Sequence, residues 1–389
     1  MSHRKIAIVY DWLTTEYGGA ELVLQTLLEL YPNAVLLTSV WNTSLQWTQN
    51  KEIRTSFLQH LPAAATHHRW LLPAYPLAFE SLDVSQFDIV ISVTSAFAKS
   101  ILTTPNQLHI CYLLTPPRFL YSHSDSYRNT DSLLGNPLIW QLAQPFLHYL
   151  RTQDYCAASR PDVILPISQV VAQRVKTFYH RGSSDPLYPP IDARKYAAVE
   201  LGTAAQVHKD SDYYLIVSRL LSYKMIDQAI LAAIKLKRKL KIVGSGPESK
   251  RLTALIQTEH AADLVKLVGT VSHQKLSQYY QNARALILPG NEDFGLVALE
   301  ANACGIPAIV HRESGAAEVI SDGVHGIHSQ NATFTALIAA MQRCEATHFE
   351  PELLRTNAVQ YDKTSFITLF DKLVVDSWEK HQKGLYGSK

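Results

Sequence analysis

The sequence predicts an α/β protein with two doubly wound parallel sheets. Short apolar runs rich in β-branched residues alternate with stretches long enough for helices, and this alternation is typical of parallel βαβ units. The pattern occurs in the first half of the 389-residue chain and again in the second half. A cluster of glycine, serine and proline at Arg181–Pro190 separates the halves. We therefore expect two Rossmann-like domains facing across a cleft.

The first half opens with a predicted strand, turn and helix. Lys5–Tyr10 is a short apolar run, Gly18 and Gly19 form a turn, and Ala20–Leu30 has leucines at helical spacing. The further predicted strands of this half are Ala34–Val40, Phe87–Val93, Leu108–Leu114 and Asp162–Ile167.

The second half repeats this plan with buried strands and helices between them. The predicted strands are Tyr213–Ser218, Leu240–Val243, Leu264–Val268, Ala285–Leu288 and Ala308–His311. The predicted helices are Met225–Leu236, Pro247–Gln257, Gln274–Gln281 and Val297–Cys304. We expect an N-terminal domain at 1–190, a C-terminal domain at 191–360 and a C-terminal helix at 361–389 that packs back toward the N-terminal domain.

Composition excludes several classes of protein. Hydrophobic residues make up 47% of the chain and charged residues 18%, which is typical of globular proteins rather than disordered or fibrous ones. The net charge of +2 gives no overall field for a nucleic acid. The four cysteines form no C-x-x-C pair, so neither a zinc site nor a disulfide framework is indicated and a cytoplasmic protein is expected. No window approaches the roughly 20 apolar residues of a membrane-spanning helix.

The most informative segment is Gly290-Asn-Glu-Asp-Phe-Gly-Leu-Val-Ala-Leu-Glu300, which runs on to Ala-Asn-Ala-Cys-Gly-Ile-Pro307. Glu292 falls in the turn after a strand, and Glu300 falls in the second turn of the next helix. The amides of Phe294, Gly295 and Leu296 open that helix, where its dipole favours an anion. The two glutamates alone would fit a solvated turn and a helix surface, but the whole segment favours a ligand site.

This segment closely resembles the glutamate-x7-glutamate signature of family 4 glycosyltransferases, which have the GT-B fold. Arg219 and Lys224, with four residues between them, resemble the cationic clamp that holds the donor diphosphate in this family. The Gly18-Gly19 turn, the glycine turn at Gly244 and the loop of Thr270 and Val271 resemble further donor-binding loops. The resemblance covers nearly the whole chain and is most specific over 213–320.

The resemblance implies a role for each site residue. Arg219 and Lys224 stabilise the leaving diphosphate, Glu292 and the amides after it position the sugar, and Glu300 holds the ribose. These implied catalytic residues are Arg219, Lys224 and Glu292. The implied donor-binding residues are Gly18, Gly19, Arg219, Lys224, Gly244, Thr270, Val271, Glu292, Phe294, Gly295, Leu296 and Glu300, with no metal and no cofactor.

A narrower resemblance points to the branch that builds bacterial surface polysaccharides and includes mannosyltransferases. It rests on Asp11-Trp-Leu13, Ser95–Lys99, His109–Tyr112 and Thr115-Pro116. Members commonly carry a histidine near the donor sugar where this chain has Leu114. His109 lies on the opposite face of that strand, and His123 would replace the missing group only if its loop folds back.

Two further segments have a composition that is compatible with a functional role. Asp210-Ser-Asp212 spells a D-x-D motif, but it precedes the first strand of the second half, so we interpret it as structural. Leu61–Leu82 mixes basic and large apolar residues. That mixture suits either a membrane-surface face or, as the favoured interpretation, a buried face with a solvated side.

The resemblance thus implies a retaining, metal-independent hexosyltransferase. Its donor would be GDP-mannose or a UDP-hexose, and its acceptor a glycan or a lipid-linked sugar. A peripheral contact with the cytoplasmic membrane face is compatible with this hypothesis. Two alternatives stay open: a degenerate binding protein of the same fold, suggested by Leu114, and another GT-B enzyme such as an epimerase or a phosphorylase with pyridoxal phosphate.

Overall fold

The structure, a computed structural model, describes residues 4–122, 136–197 and 213–386. These residues form two compact units. The first unit comprises 4–122, 136–190 and 363–386, and the second comprises 191–197 and 213–362. The chain passes from one unit to the other between Pro190 and Ile191 and again between Asp362 and Lys363.

The first unit contains a six-stranded parallel sheet in the order β3-β2-β1-β4-β5-β6. Every residue of its three central strands is buried, as expected for a parallel sheet covered on both faces. The strands are β1 Ile6–Tyr10, β2 Val35–Thr38, β3 Ile53–Thr55, β4 Ile89–Thr94, β5 Leu108–Leu113 and β6 Val163–Pro166. The first four helices are α1 Gly19–Leu30, α2 Tyr75–Glu80, α3 Pro137–Ala157 and α4 Gln169–Tyr179.

The second unit repeats the architecture with the order β12-β11-β10-β7-β8-β9. All of its strand pairs are parallel as well. The strands are β7 Tyr213–Val217, β8 Lys239–Val243, β9 Val265–Gly269, β10 Ala285–Leu288, β11 Ala308–His311 and β12 Gly326–Ser329. The helices are α5 Ala193–Ala197, α6 Ile226–Leu236, α7 Ser249–Thr258, α8 His273–Gln281, α9 Leu296–Ala303, α10 Phe334–Ala346 and α11 Pro351–Gln360.

The last helix, α12 Lys363–Gln382, belongs to the first unit. Its Phe366 and Phe370 rings pack edge-on against Tyr112 of β5, with ring centroids 5.8 and 5.9 Å away. Lys363 at its start donates to a carboxylate oxygen of Glu29 on α1 at 2.8 Å. Both aromatic rings are buried, so hydrophobic burial holds this helix to the unit.

The ten predicted strands and the five helices predicted from Ala20 to Cys304 are confirmed to within about two residues. The C-terminal helix, predicted at 361–389, runs from Lys363 to Gln382. Two strands at sheet edges, β3 and β12, were not predicted. β3 has three half-buried residues, and β12 reads Gly-Ile-His-Ser. Neither contains the apolar run by which the other strands were recognised, because edge strands need less burial than central ones.

No helix within the described ranges is long and apolar enough to cross a membrane. The segment between Leu61 and Leu82, one candidate for a membrane face, consists mainly of a 3₁₀ helix at His68–Ala74 followed by α2. Its side chains divide between core and surface: Tyr75 and Phe79 are fully buried, whereas Trp70 is 78% exposed.

Candidate functional site

The carboxyl edge of the second sheet carries the predicted catalytic residues. Strand order reverses between β7 and β10, and open α/β sheets bind ligands beyond the strand ends at such a switch point. Arg219 and Lys224 follow β7, and Glu292 follows β10. All three residues therefore follow the two strands that flank the switch point.

Lys224 and Glu292 form an ion pair across the switch point. The Nζ atom of Lys224 donates to Oε1 of Glu292 at 2.6 Å and also contacts Oε2. The two side chains are only 17% and 12% exposed, so solvent screens their attraction less than it would at an open surface. The pair links the loop after β7 to the loop after β10.

Glycines allow the neighbouring loops to pack directly on the backbone that carries Lys224. A Cβ at Gly246 would lie 2.4 Å from the carbonyl oxygen of Leu220, and one at Gly290 would lie 2.6 Å from that of Tyr223. Both distances are too short for any side chain. The segment with the predicted cations is thus clamped between the loops after β8 and β10.

A strained backbone turn includes Lys224 and ends at Met225. Ser222–Lys224 forms a single 3₁₀ turn, and Met225 after it has φ of +53°, which is uncommon for a residue other than glycine. The left-handed conformation at Met225 redirects the chain into α6. Backbone strain of this kind costs about 1–3 kcal/mol and tends to occur at functional sites.

Arg219 presents a cation without a partner in the part of the chain that the structure describes. Its side chain is exposed, and no acceptor among those residues binds its guanidinium. The backbone next to it is fixed, because the N–H of Leu220 donates to the carbonyl of Ser245 at 2.9 Å. An anion reaching the switch point would find this charge available.

The start of α9 completes the anion-binding features. Gly295 begins the helix with φ of +94°, and the N–H of Gly315 donates to the carbonyl of Glu292 at 2.8 Å. Of the three predicted amides, that of Leu296 opens the first turn and that of Gly295 belongs to the N-cap, where N–H groups have no intrahelical acceptor and the dipole is positive. Phe294 precedes the N-cap.

Glu300 lies one turn further along α9 and is held by a tyrosine. The hydroxyl of Tyr280 on α8 donates to Oε2 of Glu300 at 2.8 Å. Glu300 itself is half-buried. Its carboxylate is therefore oriented by the protein before any ligand arrives.

The remaining predicted donor residues of this unit lie on the other side of β7. Gly244 has φ of +131°, and a Cβ there would lie 1.9 Å from the carbonyl oxygen of Ser218. Close packing against the backbone of Ser218 is sufficient to explain why this position is a glycine. Thr270 and Val271 follow β9, which β8 separates from β7, so they lie at the far end of the carboxyl edge.

The first unit has its own switch point, between β1 and β4, and a buried aspartate fills it. One carboxylate oxygen of Asp11 accepts hydrogen bonds from Thr94 Oγ1 (2.7 Å) and from the N–H groups of Phe97 (2.9 Å) and Ala98 (2.8 Å). The other accepts the N–H groups of Ser95 (2.8 Å) and Ala96 (3.0 Å). With these five donors its acceptor capacity is used within the protein. Asp11 was part of the resemblance to the polysaccharide branch of the family, and in the structure it has a structural role.

Gly18 and Gly19 also belong to the first unit. Gly18 is the N-cap of α1 and Gly19 is its first residue, and Gly18 is extended with φ of −177°. A Cβ at Gly18 would approach a carboxylate oxygen of Glu21 to 2.3 Å. That carboxylate is buried and accepts the hydroxyl of Tyr10 at 2.8 Å, so the glycine leaves room for an internal hydrogen bond.

Leu114 follows β5 and is half-buried, and its N–H donates to the carbonyl of Thr94 at 2.9 Å. His109, on the same strand, is fully buried and its Nε2 lies 2.9 Å from Ser92 Oγ. His109 is therefore a core residue. His123 and the D-x-D motif at 210–212 lie outside the described residues.

Among the described residues, no group of three or more histidine, cysteine, aspartate or glutamate side chains is arranged to hold a metal ion. The four cysteines are free thiols. Burial raises the pKa of Cys111 to about 11 and that of Cys304 to about 12, so both stay protonated at neutral pH.

Protonation of two histidines should make the stability of the second unit depend on pH. Nδ1 of His311 accepts the N–H of Glu313 at 3.2 Å, and Nδ1 of His325 accepts the N–H of Ser321 at 3.3 Å. Burial lowers the pKa of both imidazoles from the ordinary 6.5. Since the unfolded chain then binds more protons at mildly acidic pH, the free energy of unfolding falls as the pH decreases.

We expect the urea midpoint to decrease between about pH 7.5 and about pH 5.5, and less steeply in His311→Gln. Urea titrations of the wild type and the variant at each pH check this expectation. Parallel pH curves for the two proteins would show that His311 does not contribute.

Two features of the site were not predicted from the sequence: the tyrosines near Glu300, and the ion pair between the predicted site residues Lys224 and Glu292. Tyr280 lies 20 residues before Glu300 and Tyr196 lies 104 residues before it. No spacing rule connects residues on three different helices. The pairing of Lys224 with Glu292 was likewise hidden, because the sequence shows which loops share a sheet edge but not which side chains meet.

Part of this chain is similar in sequence to known glycosyltransferases. Residues 203–361 match the family model Glycosyl transferases group 1. A D-inositol 3-phosphate glycosyltransferase of Xylanimonas cellulosilytica is 31% identical over 150 residues, which cover 37% of this chain and 36% of the relative. An uncharacterised glycosyltransferase of Methanocaldococcus jannaschii is 29% identical over 191 residues, or 46% of this chain and 48% of the relative. The matches thus span between a third and a half of these relatives.

Solved structures share the fold over nearly the whole chain. Sucrose-phosphate synthase from Thermosynechococcus elongatus superposes with a TM-score of 0.70 at 16% identity, covering 96% of this chain and 99% of the other. Anabaena HepE in complex with UDP gives 0.68 at 16% identity, with coverage of 96% and 100%. The lipopolysaccharide outer core galactosyltransferase WaaB gives 0.65 at 16% identity, with coverage of 96% and 99%. The chain therefore has the GT-B fold, and the part of its sequence that matches the group 1 glycosyl transferase model, residues 203–361, includes Arg219, Lys224 and Glu292.

Proposed function

We propose that the protein is a retaining, metal-independent glycosyltransferase that uses a nucleotide diphosphate sugar as donor. The observation that carries this proposal is the Lys224–Glu292 pair across the switch point, with Arg219, which has no acceptor among the described residues, on the same loop. A preorganised lysine, a second cation and a helix N-terminus suit a leaving diphosphate. The group 1 domain and the UDP complex of the similarly folded HepE support this choice.

In this proposal the residues act by positioning and by electrostatics. Glu300 holds the ribose, Glu292 and the first amides of α9 position the sugar, and Lys224 and Arg219 bind the diphosphate. The bond between the sugar C1 and the diphosphate oxygen breaks as the acceptor hydroxyl forms its bond to C1 on the same face. The hydroxyl proton passes to a phosphate oxygen, and no protein nucleophile is required.

The donor is either GDP-mannose or a UDP-hexose, and the acceptor is a glycan or a lipid-linked sugar in polysaccharide synthesis. The similar fold of WaaB, described as a lipopolysaccharide outer core galactosyltransferase, supports that class of acceptor. A cytoplasmic location at the membrane face fits a lipid-linked acceptor. Exposed Trp70 (78%) and Leu77 (58%) of the first unit are the side chains we propose for that contact.

A panel of nucleotide sugars tests the function. A donor present at about 100 times its Kd stabilises the folded state by about 2.7 kcal/mol, which a thermal melt detects easily. The stabilising donor is then incubated without acceptor, and release of free sugar is measured. Binding with hydrolysis supports an enzyme. Binding without hydrolysis or transfer would favour the alternative of a degenerate binding protein.

We expect no requirement for a divalent metal, because Lys224 and Arg219 supply the positive charge that a metal would otherwise provide. The measurement is the transfer rate in EDTA and after addition of magnesium or manganese. A rate that EDTA abolishes and that either ion restores would contradict this prediction.

Leu114→His is expected to raise donor hydrolysis or transfer about 2- to 10-fold, since one hydrogen bond to a sugar hydroxyl contributes about 0.5–1.5 kcal/mol. Initial rate and melting temperature are measured together for the wild type and the variant. The matched control is Leu102→His, at a leucine of the same unit that is 50% exposed.

A stable Leu114→His variant with an unchanged rate would show that residue 114 does not face the sugar. A slower and less stable variant would show that the leucine belongs to an apolar pocket, where an unsatisfied imidazole costs about 1–3 kcal/mol.

A further inference from the structure

We propose that Tyr196 and Tyr280 are positioning residues that fix the Glu300 carboxylate toward the ribose of the nucleotide. The inference rests on the proposed function and extends it to two residues that do not themselves touch the ligand. Both tyrosines are buried, at 5% and 0% exposure, and both hydroxyls hydrogen-bond to Glu300.

Tyr280 holds the carboxylate from the side of α8. Its hydroxyl lies 2.8 Å from Oε2 of Glu300. Burial, followed by the neighbouring charge of Glu300, raises the pKa of Tyr280 well above its ordinary value. The hydroxyl therefore keeps its proton and acts as a donor, which matches the need of an ionised carboxylate.

Tyr196 holds the same carboxylate from α5. Its ring packs edge-on against that of Tyr280, with centroids 5.9 Å apart at 83°. Burial and the charge of Glu300 raise the pKa of Tyr196 as well. The two rings and the carboxylate thus form one cluster. Rotation of either tyrosine side chain would break its hydrogen bond to Glu300.

The backbone around Tyr196 is anchored where the chain enters the second unit. The N–H of Ile191 donates to the carbonyl of Tyr361 at 2.9 Å, and the N–H of Ala193 donates to Oδ1 of Asp362 at 3.1 Å. These bonds hold the start of α5 against the last residues of the unit. The backbone that leads to Tyr196 is therefore held in place at the start of α5.

The number of lone pairs is compatible with ribose binding. A carboxylate accepts about four hydrogen bonds, so two tyrosine hydroxyls use about half of that capacity. A carboxylate that is already oriented loses less side-chain freedom on binding, so removing one tyrosine hydroxyl should weaken ribose recognition specifically.

The test compares ribonucleotides with nucleotides that lack the ribose hydroxyls. Binding of UDP and GDP, and of their 2′,3′-dideoxy counterparts, is measured by calorimetry for the wild type, Tyr196→Phe, Tyr280→Phe and Glu300→Ala. The matched control is Tyr214→Phe, a buried tyrosine of the same unit whose hydroxyl donates to Glu345 at 3.0 Å. Melting temperatures verify that each variant is folded.

We expect each of Tyr196→Phe and Tyr280→Phe to weaken the ribonucleotide that binds by about 3- to 10-fold. The dideoxy nucleotide should bind the wild type more weakly and should change less than 2-fold in these variants. Tyr214→Phe should leave both affinities unchanged. If only one tyrosine variant folds, the same comparison in that variant decides the proposal.

An equal loss for both nucleotides, or no loss in either tyrosine variant, would overturn the positioning role. If Glu300→Ala alone then weakened the ribonucleotide selectively, the proposed function would stand without the tyrosines. Wild-type protein that binds neither UDP nor GDP would overturn the proposed function and this inference together.

Discussion

Replacing Lys224 by alanine is expected to lower kcat by about 10²- to 10³-fold. The lysine would lie against the diphosphate as negative charge develops on it, and the loss of one preorganised partner of such a charge costs about 2.7–4 kcal/mol of transition-state stabilisation. Its pairing with Glu292 holds the ammonium group at the switch point before the donor arrives. Turnover is measured with the purified variant at saturating donor.

The fold should change far less than the rate. Glu292, which is only 12% exposed, loses its cation in this variant, so some loss of stability is expected as well, and turnover is compared at a temperature at which both proteins are folded. Lys235→Ala, at an exposed lysine on α6 of the same unit, is the matched control and should keep its activity. Activity near the wild-type value in Lys224→Ala would remove this residue from the mechanism.

Asp11→Asn is expected to destabilise the protein by about 2–4 kcal/mol although it changes only one atom of the side chain. An asparagine presents one oxygen and one NH₂ group, so the NH₂ group would face N–H donors that now find an acceptor. Each buried donor left without an acceptor costs about 1–3 kcal/mol. Urea unfolding with a fixed m-value gives the difference directly.

The control for Asp11→Asn is Asp83→Asn. Asp83 also accepts a backbone N–H, from Ser85 at 2.9 Å, but it is exposed and water replaces the lost bond. We expect the urea midpoint of this variant to stay close to that of the wild type. Equal midpoints for the two variants would mean that the hydrogen bonds around Asp11 do not hold the first unit together.

The two switch points explain why one unit rather than the other is proposed to bind the donor diphosphate. In the first unit, the carboxylate of Asp11 joins the loops after β1 and β4 with five internal donors. In the second unit, a pair of opposite charges joins the loops after β7 and β10, and Arg219 remains available. The acceptor capacity of Asp11 is filled by groups of the protein. In the second unit, by contrast, Lys224 is able to exchange Glu292 for an anionic ligand.

Much of the fold was predictable because burial on both faces of a parallel sheet leaves short apolar runs in the sequence. The site was predictable where a loop follows such a run, as for Lys224 after β7 and Glu292 after β10. The tyrosines that hold Glu300 were not predictable, since their hydroxyls meet the carboxylate only after three helices have packed. Asp11 belonged to a recognised sequence motif, but its hydrogen bonds were not predictable. The five donors come from a loop more than 80 residues away.

The most direct test of the account is a crystal structure of the protein with the nucleoside diphosphate that stabilises it. We expect the diphosphate at the switch point of the second sheet, against the first turn of α9, with phosphate oxygens within hydrogen-bond distance of Lys224 and Arg219. The ribose should contact Glu300. A nucleotide bound at any other place, or one at the carboxyl edge whose phosphates contact neither cation, would contradict the account.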